Sequence, residues 1–327
     1  MVVPRSGTFF AEGGDLCDDI TFAREVLARH FAGEVADLRP LAGGFFSRAF
    51  GFVADEFSYV LRLNTVAHAA EGFAKDDYAG RHFASPSLPI PRSIAIGRTA
   101  EGSFAISERV AGRILAEHTP AERRALLPST LDTLDAIARA DVRASRGYGM
   151  WDAEGIGTYA TWEGYLAAII EDETASYYAN WHALFRDSFL ERAVYEAVYR
   201  RMRLLLARCP EMRALIHNDY WFENMLAAGG RITGVIDWAN ALYGDPLYEV
   251  ARLAWGAGVP GWWHDDGAAL LRDRYGAAPG YAGRIACYQC HLGLDDLRFY
   301  AKTGKRAEYD RARERLLALI AAAPEGE

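Results

Sequence analysis

His217, Asp219 and Asn224 stand at the spacing H-x-D-x-x-x-x-N within LIHNDYWFENML (215–226). A further acid, Asp237, follows Asn224 by thirteen residues, at the end of the apolar run ITGVI (232–236). These types at this spacing suit phosphoryl transfer. One carboxylate must accept the proton of an attacking hydroxyl. A second carboxylate and an amide oxygen must hold Mg2+, which takes hard oxygen ligands, on the phosphates of a nucleotide. Asp219 is the candidate base, and Asn224 and Asp237 are the candidate metal ligands. His217 is expected to hold the shape of the loop by hydrogen bonding rather than to titrate in the reaction. An isolated H-x-D is a weak signal, and an Asn in a turn is commonly structural. The expectation rests on the joint pattern and on the apolar runs that flank it.

Such a loop needs a scaffold, and the rest of the chain divides into two textures. Asp18 or Asp19 can cap a first helix, DITFAREVLARHF. LRPLAGGFFSRAFGFVADEFSYVLRLN (38–64) is rich in Phe, Val and Tyr and reads as antiparallel strands broken at Gly43-Gly44 and at Ala54-Asp55-Glu56. AKDDYAGRHFAS is helical, and SIAIGRTAEGSFAISERVAG reads as two more strands. From Thr119, with Pro120 at the first helical position, helices dominate. TWEGYLAAIIEDE and FLERAVYEAVYRRMRLLLARCP belong to them. One small hairpin, turning at Gly229-Gly230, interrupts this region. The expected fold is α+β, with a β-rich lobe over 1–107 and a mostly helical lobe over 108–327.

The chain has 327 residues, 51% of them hydrophobic, enough for two packed lobes. Its net charge of −8, with no basic run, disfavours a nucleic-acid partner. No apolar stretch reaches the length of a bilayer span. The first residues, MVVPRSGTFFAEGGD, have no apolar core followed by a cleavage site, so a cytoplasmic setting and no membrane partner are expected. CYQCH (287–291) fits the C-x-x-C-H pattern of haem attachment. It sits, however, among apolar residues at helical spacing (Ile285, Tyr288, Leu292), so no haem is expected. No second Cys/His pair lies at finger spacing, so no zinc is expected. A Walker loop is absent, because KTGKR lacks the upstream Gly and the Ser/Thr.

HNDYWFENML and ITGVIDWANALYGDPLYEVARLAW together resemble the aminoglycoside phosphotransferase and choline kinase group, which implies a protein-kinase-like bilobal fold. KDDYAGRHFASPSLPIP, GIGTYATW and GLDDL are similar, in the same order, to segments of its hygromycin-type branch. The resemblance runs from about Leu41 to about Leu316. It implies ATP or GTP as phosphoryl donor, Mg2+ as cofactor and a small cationic acceptor, an aminocyclitol antibiotic, with resistance as the role. Most of the family carries a lysine on the third strand, paired with an acid on the next helix. Here YVLRLN puts Arg62 at that position, with Asp76 as candidate acid, Asp77 as second choice, and Lys75 as a further group able to reach phosphate. Gly43-Gly44 matches the phosphate-covering turn, with Ser47 as a possible phosphate donor. The Glu108 carbonyl and the Val110 N–H would read adenine. Asp245 would cap the helix that starts at Pro246 and, by family resemblance, brace the catalytic loop.

The acceptor pocket should lie between the catalytic loop and the late helices. Its candidates are Trp221, Glu223, Trp238, Asn240, Glu249 and Asp295, acids and flat aromatic faces suited to protonated amines on a sugar ring. Rival readings on the same fold are a choline, thiosugar or amino-alcohol kinase and a macrolide kinase. A silent kinase-like binding module is the rival outside enzymes. The sequence carries no reading of oligomeric state.

Overall fold

The structure is a computed structural model that describes residues 16–41, 47–64, 69–99, 102–174, 177–257, 259 and 263–322. The Gly43-Gly44 turn and both chain ends lie outside these residues. Helix α1 (Leu16–Ala28) starts upstream of Asp18 and Asp19, so neither is its cap. Strands β1 (Val35–Leu41), β2 (Arg48–Ala54) and β3 (Phe57–Asn64) follow, then α2 (Ala69–Phe83), β4 (Ser93–Arg98) and β5 (Ser103–Glu108). They form an antiparallel sheet of order β1-β2-β3-β5-β4. Side chains alternate across a strand. Leu61 and Leu63 therefore join Phe50, Phe52, Phe104 and Ile106 against Ala23, Val26 and Leu27 of α1. Arg62, between them, faces the other way, towards α2 and the cleft.

The chain leaves β5 at Glu108 and turns at Gly112, whose φ of +129 and closeness to the Ala227 carbonyl (2.7 Å from an added Cβ) leave no room for a side chain. Strand β6 (Arg113–Ile114) then enters the helical lobe. Helix α3 (Pro120–Ala138) is capped as its sequence predicts. Thr119 accepts from the Glu122 N–H, and the Glu122 side chain accepts from the Thr119 N–H. Strands β7 (Tyr148–Trp151) and β8 (Gly157–Tyr159) lead to α4 (Trp162–Ala167), α5 (Leu184–Asp187), α6 (Arg192–Leu206) and β9 (Ala214–Ile216). Then come β10 (Met225–Ala228), β11 (Arg231–Val235), β12 (Leu242–Gly244) and helices α7 (Leu247–Gly256), α8 (Gly267–Tyr275), α9 (Tyr281–Thr303) and α10 (Arg306–Ala322).

The expectation of a single hairpin is corrected here. The helical lobe holds two small sheets, β11-β10-β6 and β8-β7-β12-β9. Their additional strands are two to four residues long, too short to show a period of two. The second sheet pairs β12 with β9 (Leu242↔Ile216), which sets the end of β9 beside the segment after Asp237. Cys287, Cys290 and His291 lie on α9, buried in the core of the lobe. Among the described residues, no helix is long and apolar enough to cross a membrane.

Candidate active site

β9 ends at Ile216, and the chain turns through Asn218, which holds a left-handed φ of 63°. His217 is fully buried. Its Nε2–H donates to the Ile236 carbonyl at 3.0 Å, and its ring packs edge-on against Trp238. Burial pulls its pKa down to about 4, against the opposing pull of Asp219, so the ring is neutral at ordinary pH. Asn218 is the residue that sequence reasoning missed. Its N–H donates to Glu249 Oε2 at 2.6 Å and its Nδ2 to the Asn240 carbonyl at 3.0 Å. The available signal was that Asn, flanked by His217 and Asp219, is among the few residues that adopt a left-handed turn readily.

Asp219 is half-buried beyond this turn. Asn224, on the 3-10 turn before β10, donates its Nδ2 to Asp219 Oδ2 at 3.1 Å and to the Asp219 carbonyl at 2.9 Å. Both partners are acceptors, so the amide nitrogen must face Asp219 and Oδ1 is turned elsewhere. Asp237 follows β11 and also takes a left-handed conformation, φ 67° and ψ 67°. Burial, with Asp76 and Asp219 nearby, pushes its carboxyl up to about 7, while Arg62 opposes the shift. Three carboxylates, Asp76, Asp219 and Asp237, thus lie close together, with Arg62 and Lys75 as the cations acting on them.

A divalent cation would offset the charge that burial and the neighbouring acids make costly at Asp237. Mg2+ takes one or two protein oxygens and completes its shell with phosphates and water. Asn224 Oδ1 and the Asp237 carboxylate are the oxygens that could hold such an ion. Among the described residues, no three His, Cys, Asp or Glu side chains form a fuller metal cage.

On the nucleotide side, Arg62 pairs with Asp76 Oδ2 and lies over the Phe73 ring at 4.9 Å. The other Asp76 oxygen accepts from the Trp238 N–H at 2.6 Å. Asp77 points out to Arg81 instead. Lys75 is turned away from the sheet: its Nζ donates to the carbonyls of Ala239 (2.6 Å) and Ala241 (3.2 Å), over the face of Trp151. Burial draws its ammonium down to about 8, with Glu71, Asp76, Asp152 and Asp237 pulling the other way. Ser47 Oγ accepts from Asn64 Nδ2 at 3.2 Å. Glu108 ends β5 with its N–H on the Arg92 carbonyl and its carboxylate on the Arg92 guanidinium, and Val110 packs over Gly234.

Four expectations are corrected. Among the described residues, no hydrogen bond or ion pair joins Asp245 to the catalytic loop. Its fully buried carboxylate accepts from the Leu247 N–H, which caps α7, and is held by Arg284 and Tyr288 of α9. Glu249 is not a pocket acid: 2% exposed, it is the group that braces the loop at Asn218, and burial raises its pKa to about 7. Trp238 is not a pocket wall, since it is 1% exposed with Nε1–H on the Val235 carbonyl. Trp221 is likewise buried, its ring packed close against Gly256. The Asn240 carbonyl is taken by Asn218, and its side chain is half-buried. Glu223 is half-buried on the same 3-10 turn as Asn224. Asp295 is bonded by Arg298, which also reaches Glu173 and stacks on Tyr178.

The chain is 37% identical over 269 residues to Hygromycin-B 4-O-kinase of Escherichia coli, covering 80% of this chain and 74% of that protein. Aminoglycoside phosphotransferase APH(4)-Ia, as a thermostable variant in ternary complex with AMP-PNP and hygromycin B, superposes with a TM-score of 0.82. That match has 33% identity and covers 94% of this chain and all of the other. A GDP complex of aminoglycoside 2'-phosphotransferase-IIIa shares the fold alone, at 15% identity and a TM-score of 0.63 over 92% of this chain and 97% of that one. Residues 37–294 match the APH phosphotransferase enzyme family, and with this loop, this cleft and these relatives the chain belongs to that family.

Proposed function

We propose that the protein transfers the γ-phosphoryl group of ATP to a hydroxyl of hygromycin B, and that this transfer confers resistance to the antibiotic. The observation that carries the reading is the Asp219–Asn224–Asp237 cluster, in a chain so similar to a Hygromycin-B 4-O-kinase over most of its length. The name of that relative supports the 4-hydroxyl as acceptor.

Asp219 orients the acceptor hydroxyl and takes its proton as the new O–P bond forms and the bond to ADP breaks. Asn224 donates to Asp219 Oδ2, which leaves the other oxygen of Asp219 for the hydroxyl. Arg62, held by Asp76, steadies the α- and β-phosphates, and its charge persists at any working pH. Asn224 Oδ1 and the Asp237 carboxylate would hold Mg2+, which would supply charge neutralisation on the phosphates. Ser47 and the backbone of Glu108 and Val110 complete the nucleotide site. Glu223 and Asp295, the pocket acids left after Glu249 is assigned to the loop, face the amines of the acceptor. Catalysis then rests on positioning and on fixed charge.

Nucleoside-diphosphate release with Mg-ATP, measured with hygromycin B, kanamycin, choline and a macrolide in parallel, tests the reading. Release stimulated by hygromycin B above the other three is the expected result. Stimulation by choline alone would replace the reading with that of a metabolic kinase.

A further inference from the structure

α2 does more than carry Asp76. It holds the segment after Asp237 at three successive points. Asp76 Oδ1 accepts from the Trp238 N–H at 2.6 Å, and Lys75 Nζ donates to the Ala239 carbonyl at 2.6 Å and to the Ala241 carbonyl at 3.2 Å. Gly72, one turn earlier, sits so close to Ala239 that an added Cβ would lie 3.3 Å from the Ala239 methyl. Lys75 is 2% exposed, and its ammonium lies 4.9 Å from the centre of the Trp151 ring, so its position is determined from the β7 side as well.

A buried ammonium is costly unless its donors are used. Here two of them go to the carbonyls of one short turn, the turn that follows an aspartate held at φ 67°. Aspartate adopts that conformation more readily than most residues with a Cβ, and the contacts to Trp238, Ala239 and Ala241 fix the chain that leaves it. Lys75 and Asp76 are adjacent on one helix, and Asp76 also orients Arg62. The phosphate-facing guanidinium and the metal-facing carboxylate are therefore fixed to the same rigid piece.

We propose that Lys75 is a positioning residue: its ammonium clamps the Ala239–Ala241 turn to α2 and so sets Asp237 in register with Arg62 for a nucleotide-bound divalent cation. This rests on the proposed function above. It gives the lysine a role distinct from phosphate binding, because its donors point into the helical lobe. It also accounts for an otherwise unexplained pairing, an arginine on β3 beside a lysine on α2.

The test reads metal binding rather than turnover. Mn2+ affinity is measured by electron paramagnetic resonance of free Mn2+, in ADP-loaded wild type, Lys75→Met and Lys75→Gln, with the melting temperature of each. Lys75→Met is expected to weaken Mn2+ binding roughly tenfold, the lower end of what loss of a group supporting a metal ligand costs. Metal-free ADP affinity should stay the same. Lys75→Gln, which keeps an N–H donor for one carbonyl, is expected to fall between the two and carries the comparison if the Met variant does not fold. A lower melting temperature with unchanged Mn2+ affinity in both variants would reduce Lys75 to packing and overturn the proposal. If wild type with ADP binds no Mn2+, the functional reading itself fails, and this inference with it.

Discussion

At the scale of single residues, Asp219 has one carboxylate oxygen occupied by Asn224, and in the proposed reaction the other takes the acceptor hydroxyl. Asp219→Ala is expected to lower kcat by about 10²–10⁴, the usual worth of a positioned general base, with nucleotide affinity retained in calorimetry. His217 has a different signature. Its pKa is about 4 against an ordinary 6.5, because burial disfavours the charged ring. The stability it contributes is fully present above about 6.5 and is lost as pH falls through about 4. Urea midpoints between those values should therefore fall more steeply for wild type than for His217→Gln. Parallel slopes would mean the ring is not held neutral. The residues legible as a group were those whose types and spacing belong together, Asp219, Asn224 and Asp237, which the structure sets near one another. Glu249 was misread because an acid on an amphipathic helix looks alike whether it faces a ligand or a buried backbone N–H. Only the burial of Glu249 and the turn at Asn218 separate the two cases. Trp238 failed for the same reason, since a core indole and a pocket wall have identical letters.

At the scale of elements, a buried ion pair ties the start of α7 to α9, beside the Tyr248–His291 and Trp255–Asp296 hydrogen bonds. Asp245 caps α7 and Arg284 on α9 faces it, with side-chain exposures of 0% and 6%. Removing one partner strands the other charge in the core. Arg284→Ala should thus cost about 3–5 kcal/mol in urea unfolding, far more than loss of a surface pair such as Arg306–Asp310. The five-stranded sheet, α2 and α3 were readable from alternation, helical spacing and the Thr119-Pro120 start. The short strands β6, β7, β8, β9 and β12 were not readable as a sheet. They owe their existence to pairing across the lobe, and a run of three residues has no period to detect. α4 is shorter than TWEGYLAAIIEDE suggests, because the helix tightens into a 3-10 turn at Ala168–Ile170 before Glu171 turns extended.

At the scale of the whole molecule, the lobes meet along the cleft where Arg62, Asp76 and Lys75 of one face Asp237, Trp238 and Ala239 of the other. A ligand that bridges them should stabilise both. Mg-ATP at a hundred times its Kd should add about 2.7 kcal/mol to folding, and chelating the metal should remove much of that gain in a thermal-shift experiment. A shift that survives chelation intact would argue against Asn224 and Asp237 as metal ligands. The central claim is that Asp219 drives phosphoryl transfer to hygromycin B. Mass spectrometry of the antibiotic after incubation with Mg-ATP and enzyme tests it most directly. The account predicts a product one phosphoryl group heavier with wild type and none over the same period with Asp219→Ala. Unmodified antibiotic with wild type, or equal product from the variant, would contradict it.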